Sequence, residues 1–144
     1  VKRLLKLCPQ GKVYGMDLSE ESVAFARRHN AGELDRRCFI QQGDVCSLPY
    51  GDGAFDAVTA FETVYFWSSV SKALAEVFRV IRKGGCFLIS LEASDPELGK
   101  AWTERIKGMT VYGAEELKQL LSQAGFSDIR VIQKKEELHI VAHK

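Results

Sequence analysis

An α/β fold with a mostly parallel sheet and an antiparallel last strand is what this chain of 144 residues predicts. Three observations carry that reading. Short apolar runs alternate with stretches of helical period. The run CFLISL is almost wholly apolar, as in a strand buried on both faces. The last two apolar runs are separated by KKEE, a solvated turn that favours a hairpin-like antiparallel pair.

The elements follow in order. Val1, Leu4, Leu5 and Cys8 fall on one helical face, stopped by Pro9 and Gly11. Lys12 to Met16 reads as a strand ending at Asp17. Ser19 is the N-cap of the next helix, Glu20 and Glu21 suit its positive end, and the helix runs to about His29 before Asn30 and Gly32. Arg37 to Gln42 is a second strand, broken by Gly43-Asp44. SLPYGDG is turn-rich, and Ala54 to Phe61 is a third strand. Val70, Ala73, Leu74, Val77, Phe78 and Ile81 keep the 3.6-residue period, so a helix is expected there, ended by Gly84-Gly85. CFLISL follows as a strand. A short helix is expected within about 97–107 and another from Gly113 to Ala124, with Gly125 as a left-handed cap. Two strands, about Ile129–Gln133 and Leu138–His143, complete the chain. No linker, repeat or low-complexity segment divides residues 1–144, so one domain is expected.

Composition narrows the function classes. Lys and Arg nearly balance Asp and Glu, and the net charge of +1 leaves no electrostatic footprint for nucleic acid or an anionic membrane. No apolar run approaches the ~20 residues that would span a bilayer, and VKRLLKLCPQ does not supply a signal-peptide core. The four cysteines (Cys8, Cys38, Cys46 and Cys86) form no CxxC pair. They read as small apolar residues in a reducing, cytoplasmic setting. His139 and His143 share a strand face roughly 13 Å apart and read as solvated or edge histidines, so no metal site is expected. His29 suits the negative end of its helix.

Ligands of parallel sheets bind at the carboxyl ends of the strands. That filter leaves Asp17, Gly43-Asp44 and Phe61-Glu62-Thr63. A strand-end carboxylate can accept from both hydroxyls of a ribose, and a second one can accept from an adenine amino group. Each aspartate alone is equally a capping or turn residue. Tyr65, Phe66 and Trp67 are either packing residues or a substrate wall, and Trp102 is left open between lid and short-helix packing. Glu62 and Tyr65 are the candidates for orienting a substrate or taking a proton. The run EVFRVIRK reads as a solvated basic edge of an amphipathic helix.

The stretches VYGMDLSEESVAFARRHN, CFIQQGDVCSLPYGDGAFDAVTAFETVYFW and ALAEVFRVIRKGGCFLIS, in this order and spacing, resemble the class I S-adenosylmethionine-dependent methyltransferases. The likeness is to the small-molecule branch that includes ubiquinone and menaquinone biosynthesis enzymes. It covers residues 1 to about 91, and YGAEELKQLLSQAGFSDIRVI is similar to that family's late helix and penultimate strand. The resemblance implies a Rossmann-like sheet with helices on both faces. It implies that Asp17 binds the cofactor ribose, Leu18 packs on the adenine, Asp44 accepts from the adenine amino group and the Val45 amide meets a ring nitrogen. Phe61 would line the methionine side near the methyl. Arg79, Lys83 and Gly84-Gly85 match a motif that looks structural.

The family's central first strand and its glycine-rich loop are absent from the sequence, and none of the 12 glycines forms GxGxG. A longer protein whose start is removed or unseen is therefore expected, and an open sheet edge would favour a homodimer. The implied function is methyl transfer from S-adenosylmethionine to a small-molecule acceptor, without nucleic-acid binding or membrane insertion. Two alternatives stand beside it: a non-enzymatic binding or scaffold module of the same fold, and an NAD-dependent oxidoreductase, in which Asp44 has no standard role.

Overall fold

A computed structural model describes residues 1–97, 99–135 and 137–144, which fall into two compact units, Val1–Ser47 and Leu48–Lys144. In the first unit, helix α1 (Lys2–Leu7) leads to strand β1 (Val13–Asp17), helix α2 (Glu20–His29) and strand β2 (Cys38–Gln42). The strands are parallel and in register from Val13 opposite Cys38 to Asp17 opposite Gln42. Ser19 caps α2 as its residue type predicts, its side chain accepting from the Ser22 amide at 3.2 Å. Glu20 and Glu21 begin the helix and Arg27, Arg28 and His29 end it, each sign matching the helix dipole. Val13, Cys38 and Ile40 share one sheet face and pack with Leu5 and Val23 into the core of this unit. On the other face Tyr14 stacks on Phe39 with ring centroids 4.9 Å apart.

The second unit holds β3 (Phe55–Phe61), α3 (Val70–Val80), β4 (Ile81–Leu91), α4 (Lys100–Arg105), α5 (Ala114–Gln123), β5 (Ser127–Lys134) and β6 (Glu137–His143). Its sheet has the order β3-β4-β6-β5. β3 and β4 are parallel, whereas β6 runs antiparallel to both β4 and β5, as the sequence predicts. Glu136 of the predicted KKEE turn, and Leu98 of the predicted 97–107 helix, lie outside the described residues. Ala60, Phe87, Ile89, Ile140 and Ala142 are buried on one sheet face with Leu74, Val77, Leu117 and Leu121 of the two long helices. Phe126 joins that layer, edge-on to Phe78 of α3 and beside Phe87 of β4. Gly125 has φ +106 after α5, where a Cβ would meet the Phe78 ring at 2.9 Å.

Two sequence readings are corrected here. The helix ends at Val80, not at Gly84-Gly85, and β4 begins at once with Ile81. Ile81 fits the helical period but is buried as a strand residue. The register slips between Phe55 opposite Ile81 and Ala57 opposite Cys86, so the glycines serve a bulge inside β4. A Cβ on Gly85 would lie 2.7 Å from the Asp56 carbonyl oxygen.

The EVFRVIRK run is likewise more than a solvated edge. Arg79 donates from Nε and Nη2 to the two carboxylate oxygens of Glu76, both at 2.8 Å. It also donates to the Leu48 carbonyl at 3.0 Å, the Tyr50 carbonyl at 2.7 Å and the Asp52 carboxylate at 2.9 Å. Those bonds occupy every N–H of the guanidinium. Glu76 in turn accepts from the Leu48 amide at 2.8 Å. The pair binds the turn-rich 48–52 segment to α3. Of the cysteines, Cys38 and Cys46 are buried, as the apolar reading predicts, while Cys8 is exposed. Among the described residues no helix is long and apolar enough to cross a membrane.

The clamp makes a pH prediction. Hydrogen bonding to Arg79 lowers the Glu76 carboxyl from its ordinary 4.5 to about 2. A depressed carboxylate stabilises the fold fully above its unfolded value and loses that contribution as pH falls through the folded value. Urea-unfolding free energy should therefore decline between 4.5 and about 2, and Glu76→Gln should flatten that decline. Parallel curves for the two proteins would refute the assignment.

Candidate functional site

In the first unit, parallel pairing brings two aspartate-bearing turns to the same end of the β1–β2 sheet. The Gly43 amide donates to the Asp17 carbonyl at 3.0 Å, joining the residue after β2 to the last residue of β1. Asp17 is exposed, and Oδ1 accepts from the Ser19 amide at 2.9 Å, so it also shapes the entry into α2. The Gln42 side chain donates to the Leu18 carbonyl at 2.9 Å and fixes that turn, while the Leu18 side chain is 68% exposed. Asp44 is exposed too, with Oδ1 accepting from the Cys46 amide at 2.8 Å. The capping and turn reading and the ligand reading are thus compatible, since a carboxylate with one oxygen held internally is oriented for a second partner. The glycine before Asp44 has its own cause: a Cβ there would lie 2.5 Å from Met16 Sδ. Val45 is half-buried, and the buried Cys46 anchors the turn behind it.

The second unit carries the other predicted residues at the carboxyl end of β3. Phe61, the last residue of the strand, is 50% exposed. Glu62 follows in the left-handed region with φ +53, a strained conformation for a residue with a side chain. Three hydrogen bonds hold it there, and a fourth holds its partner Tyr65. Its amide donates to the Ser90 carbonyl at 3.0 Å, and its Oε1 accepts from the Glu92 amide at 2.8 Å. Oε2 accepts from the Tyr65 hydroxyl at 3.2 Å, and that hydroxyl accepts from the Ala93 amide at 2.9 Å. The network stitches the carboxyl end of β3 to that of β4.

The same network fixes the protonation chemistry. Tyr65 is only 4% exposed, and burial pushes its hydroxyl up to about 12. It stays protonated near neutral pH and is a structural donor, not a proton acceptor. Burial also raises the Glu62 carboxyl, against the opposing pull of the Glu92 amide and Tyr65. Of the neighbouring aromatics, Phe66 and Trp102 are exposed and Trp67 is half-buried. Sequence reasoning missed the 90–93 segment, which supplies the partners of Glu62. The available signal was the parallel placement of Glu62 and Glu92, each the first polar residue after an apolar strand.

Glu62 gives a prediction of opposite sign to Glu76. A carboxyl whose folded value is raised contributes stability that is full below 4.5 and is lost as pH rises through the raised value. Unfolding free energy should fall over that rise, and Glu62→Gln should not show the fall. A Gln variant that tracks the parent protein at every pH would sink the argument.

Residues 1–89 match the family described as methyltransferase domain. The chain is 37% identical over 92 residues to demethylmenaquinone methyltransferase of Symbiobacterium thermophilum, covering 63% of this chain and 36% of that protein. It is 36% identical over 104 residues to the ubiquinone/menaquinone biosynthesis C-methyltransferase UbiE of Dinoroseobacter shibae, covering 69% and 41%. The chain thus spans between 36% and 41% of the length of these two relatives. Among solved structures, a SAM-dependent methyltransferase of Thermotoga maritima, described as a possible histamine N-methyltransferase, aligns with a TM-score of 0.79. The sequence identity is 22%, over 99% of this chain and 77% of that one, a likeness of fold.

Proposed function

The chain belongs to the methyltransferase domain family, and from that membership we propose that it serves the transfer of a methyl group from S-adenosylmethionine to a small-molecule acceptor. The observation that carries the reading is the pair of exposed carboxylates at one end of the β1–β2 sheet, each on a turn fixed by backbone hydrogen bonds. Their chemistry suits an adenosine. Asp17 is an acceptor for the ribose hydroxyls, Asp44 is an acceptor for the adenine amino group, and the Val45 amide is a donor for a ring nitrogen. The Leu18 side chain, held out by the Gln42 bond to its carbonyl, offers an apolar plate for the base.

When bound, S-adenosylmethionine supplies an already activated methyl, so what remains for the protein is proximity, alignment and exclusion of water. Asp17 and Asp44 orient the adenosine. In the second unit, the Glu62–Tyr65 network holds the carboxyl end of β3. The demethylmenaquinone and ubiquinone/menaquinone relatives support a small-molecule acceptor.

Asp17→Ala should weaken binding of S-adenosylhomocysteine, measured by calorimetry, by tenfold or more, about 1.4 kcal/mol. Asp17→Asn, which keeps one acceptor, should fall between the two. An Asp17→Ala protein that binds as tightly as the parent rules out the ribose assignment.

A further inference from the structure

The registers of the second unit place four residues in one row across its sheet: Phe61 opposite Ser90, Ser90 opposite His139, and His139 opposite Ile132. Residues paired across strands project to the same face. This is the face opposite the packed layer of Ala60, Ile89 and Ile140. His139 is exposed, and Phe61 and Ile132, at the two ends of the row, are 50% and 64% exposed. His139 Nδ1 lies 3.1 Å from Ser90 Oγ. Strands lie about 4.8 Å apart, so two spacings put His139 about 10 Å from Phe61.

Resting on the methyltransferase reading, we propose that His139, oriented by Ser90, is the general base that takes the proton from the acceptor. Methyl transfer to a neutral hydroxyl releases one proton, and the two strand-end candidates do not receive it. Tyr65 is buried and protonated, and both oxygens of Glu62 are engaged. Imidazole is the side chain whose ordinary range brackets neutral pH. The base role requires the tautomer in which Nδ1–H donates to Ser90 Oγ, which leaves the lone pair on Nε2. In the step, the acceptor O–H bond breaks and its electron pair stays on oxygen. The proton forms an N–H bond at Nε2, and imidazolium then returns it to water. Ser90 is a positioning residue, and the apolar ends of the row make contact with the body of a flat acceptor.

The charged and titratable groups around the imidazole are few. Glu137 stands two residues before it on β6, Arg130 and Lys134 flank Ile132 on β5, and Glu92 follows β4.

The test uses the whole chain with 2-naphthol as probe, in the presence of S-adenosylhomocysteine at about pH 8, where free 2-naphthol is mostly neutral. NMR of the imidazole carbon-bound protons, assigned with His139→Gln, should show the His139 signal moving saturably while those of His29 and His143 stay. Absorbance should show bound naphthol ionising about tenfold more readily, one pKa unit, than it does in His139→Gln. Ser90→Ala should give an intermediate effect. A still His139 signal, equal ionisation in His139→Gln, or no naphthol binding by protein that binds S-adenosylhomocysteine overturns the proposal. Loss of S-adenosylhomocysteine binding by the parent chain would instead overturn the methyltransferase reading beneath it.

Discussion

Parallel strands cannot be joined by a tight turn, and much of this protein follows from that constraint. Each parallel strand must release its chain at the carboxyl end into a loop whose backbone groups need partners. β1 releases into Asp17 and Leu18, β2 into Gly43 and Asp44, β3 into Glu62, and β4 into Glu92 and Ala93. The polar side chains there are first of all the means by which these exits are satisfied. Asp17 caps the path into α2, Asp44 closes its own turn, and Glu62 ties one exit to the next. The same bonds leave the side chains oriented, which is what a ligand site requires.

Two carboxylates of the second unit show how strongly surroundings decide behaviour. Glu76 faces a guanidinium in a bidentate arrangement and is held ionised far into acid. Glu62 faces an amide and a phenol, neutral donors that only partly offset its loss of water. The first fixes a loop to a helix, and the second sits beside a strained backbone at a strand end. The left-handed backbone of Glu62 is held by those same hydrogen bonds.

What was legible in the sequence was what depends on near neighbours. Ser19 three residues before Ser22, the acidic and basic ends of α2, and Gly125 after α5 all act within one turn of chain, and the structure places them accordingly. The final hairpin was legible because apolar alternation and a charged turn are local too. The boundary between α3 and β4 was not, because Ile81 satisfies both a helical period and a buried strand. Arg79 looked like a surface cation because its partners in the 48–52 segment lie 27 to 31 residues away. The same distance effect hid Ser90 from His139, which are 49 residues apart and meet only through the sheet register. For the site, residue types and strand-end positions were readable for all of the candidates. The fate of Tyr65 was not, since burial is a tertiary property.

The guanidinium of Arg79 also has a meaning for motion. A segment as rich in glycine and proline as 48–53 would ordinarily sample many conformations on the nanosecond scale of loops. With its carbonyls at Leu48 and Tyr50 and the Asp52 carboxylate all gripped from α3, it travels instead with the helix. Excursions there require the concerted release of several charge-assisted bonds, which moves them toward the slow local openings of a packed element. A lysine, with one compact charge, could not hold so many acceptors at once, and the segment would return to the timescale its composition suggests.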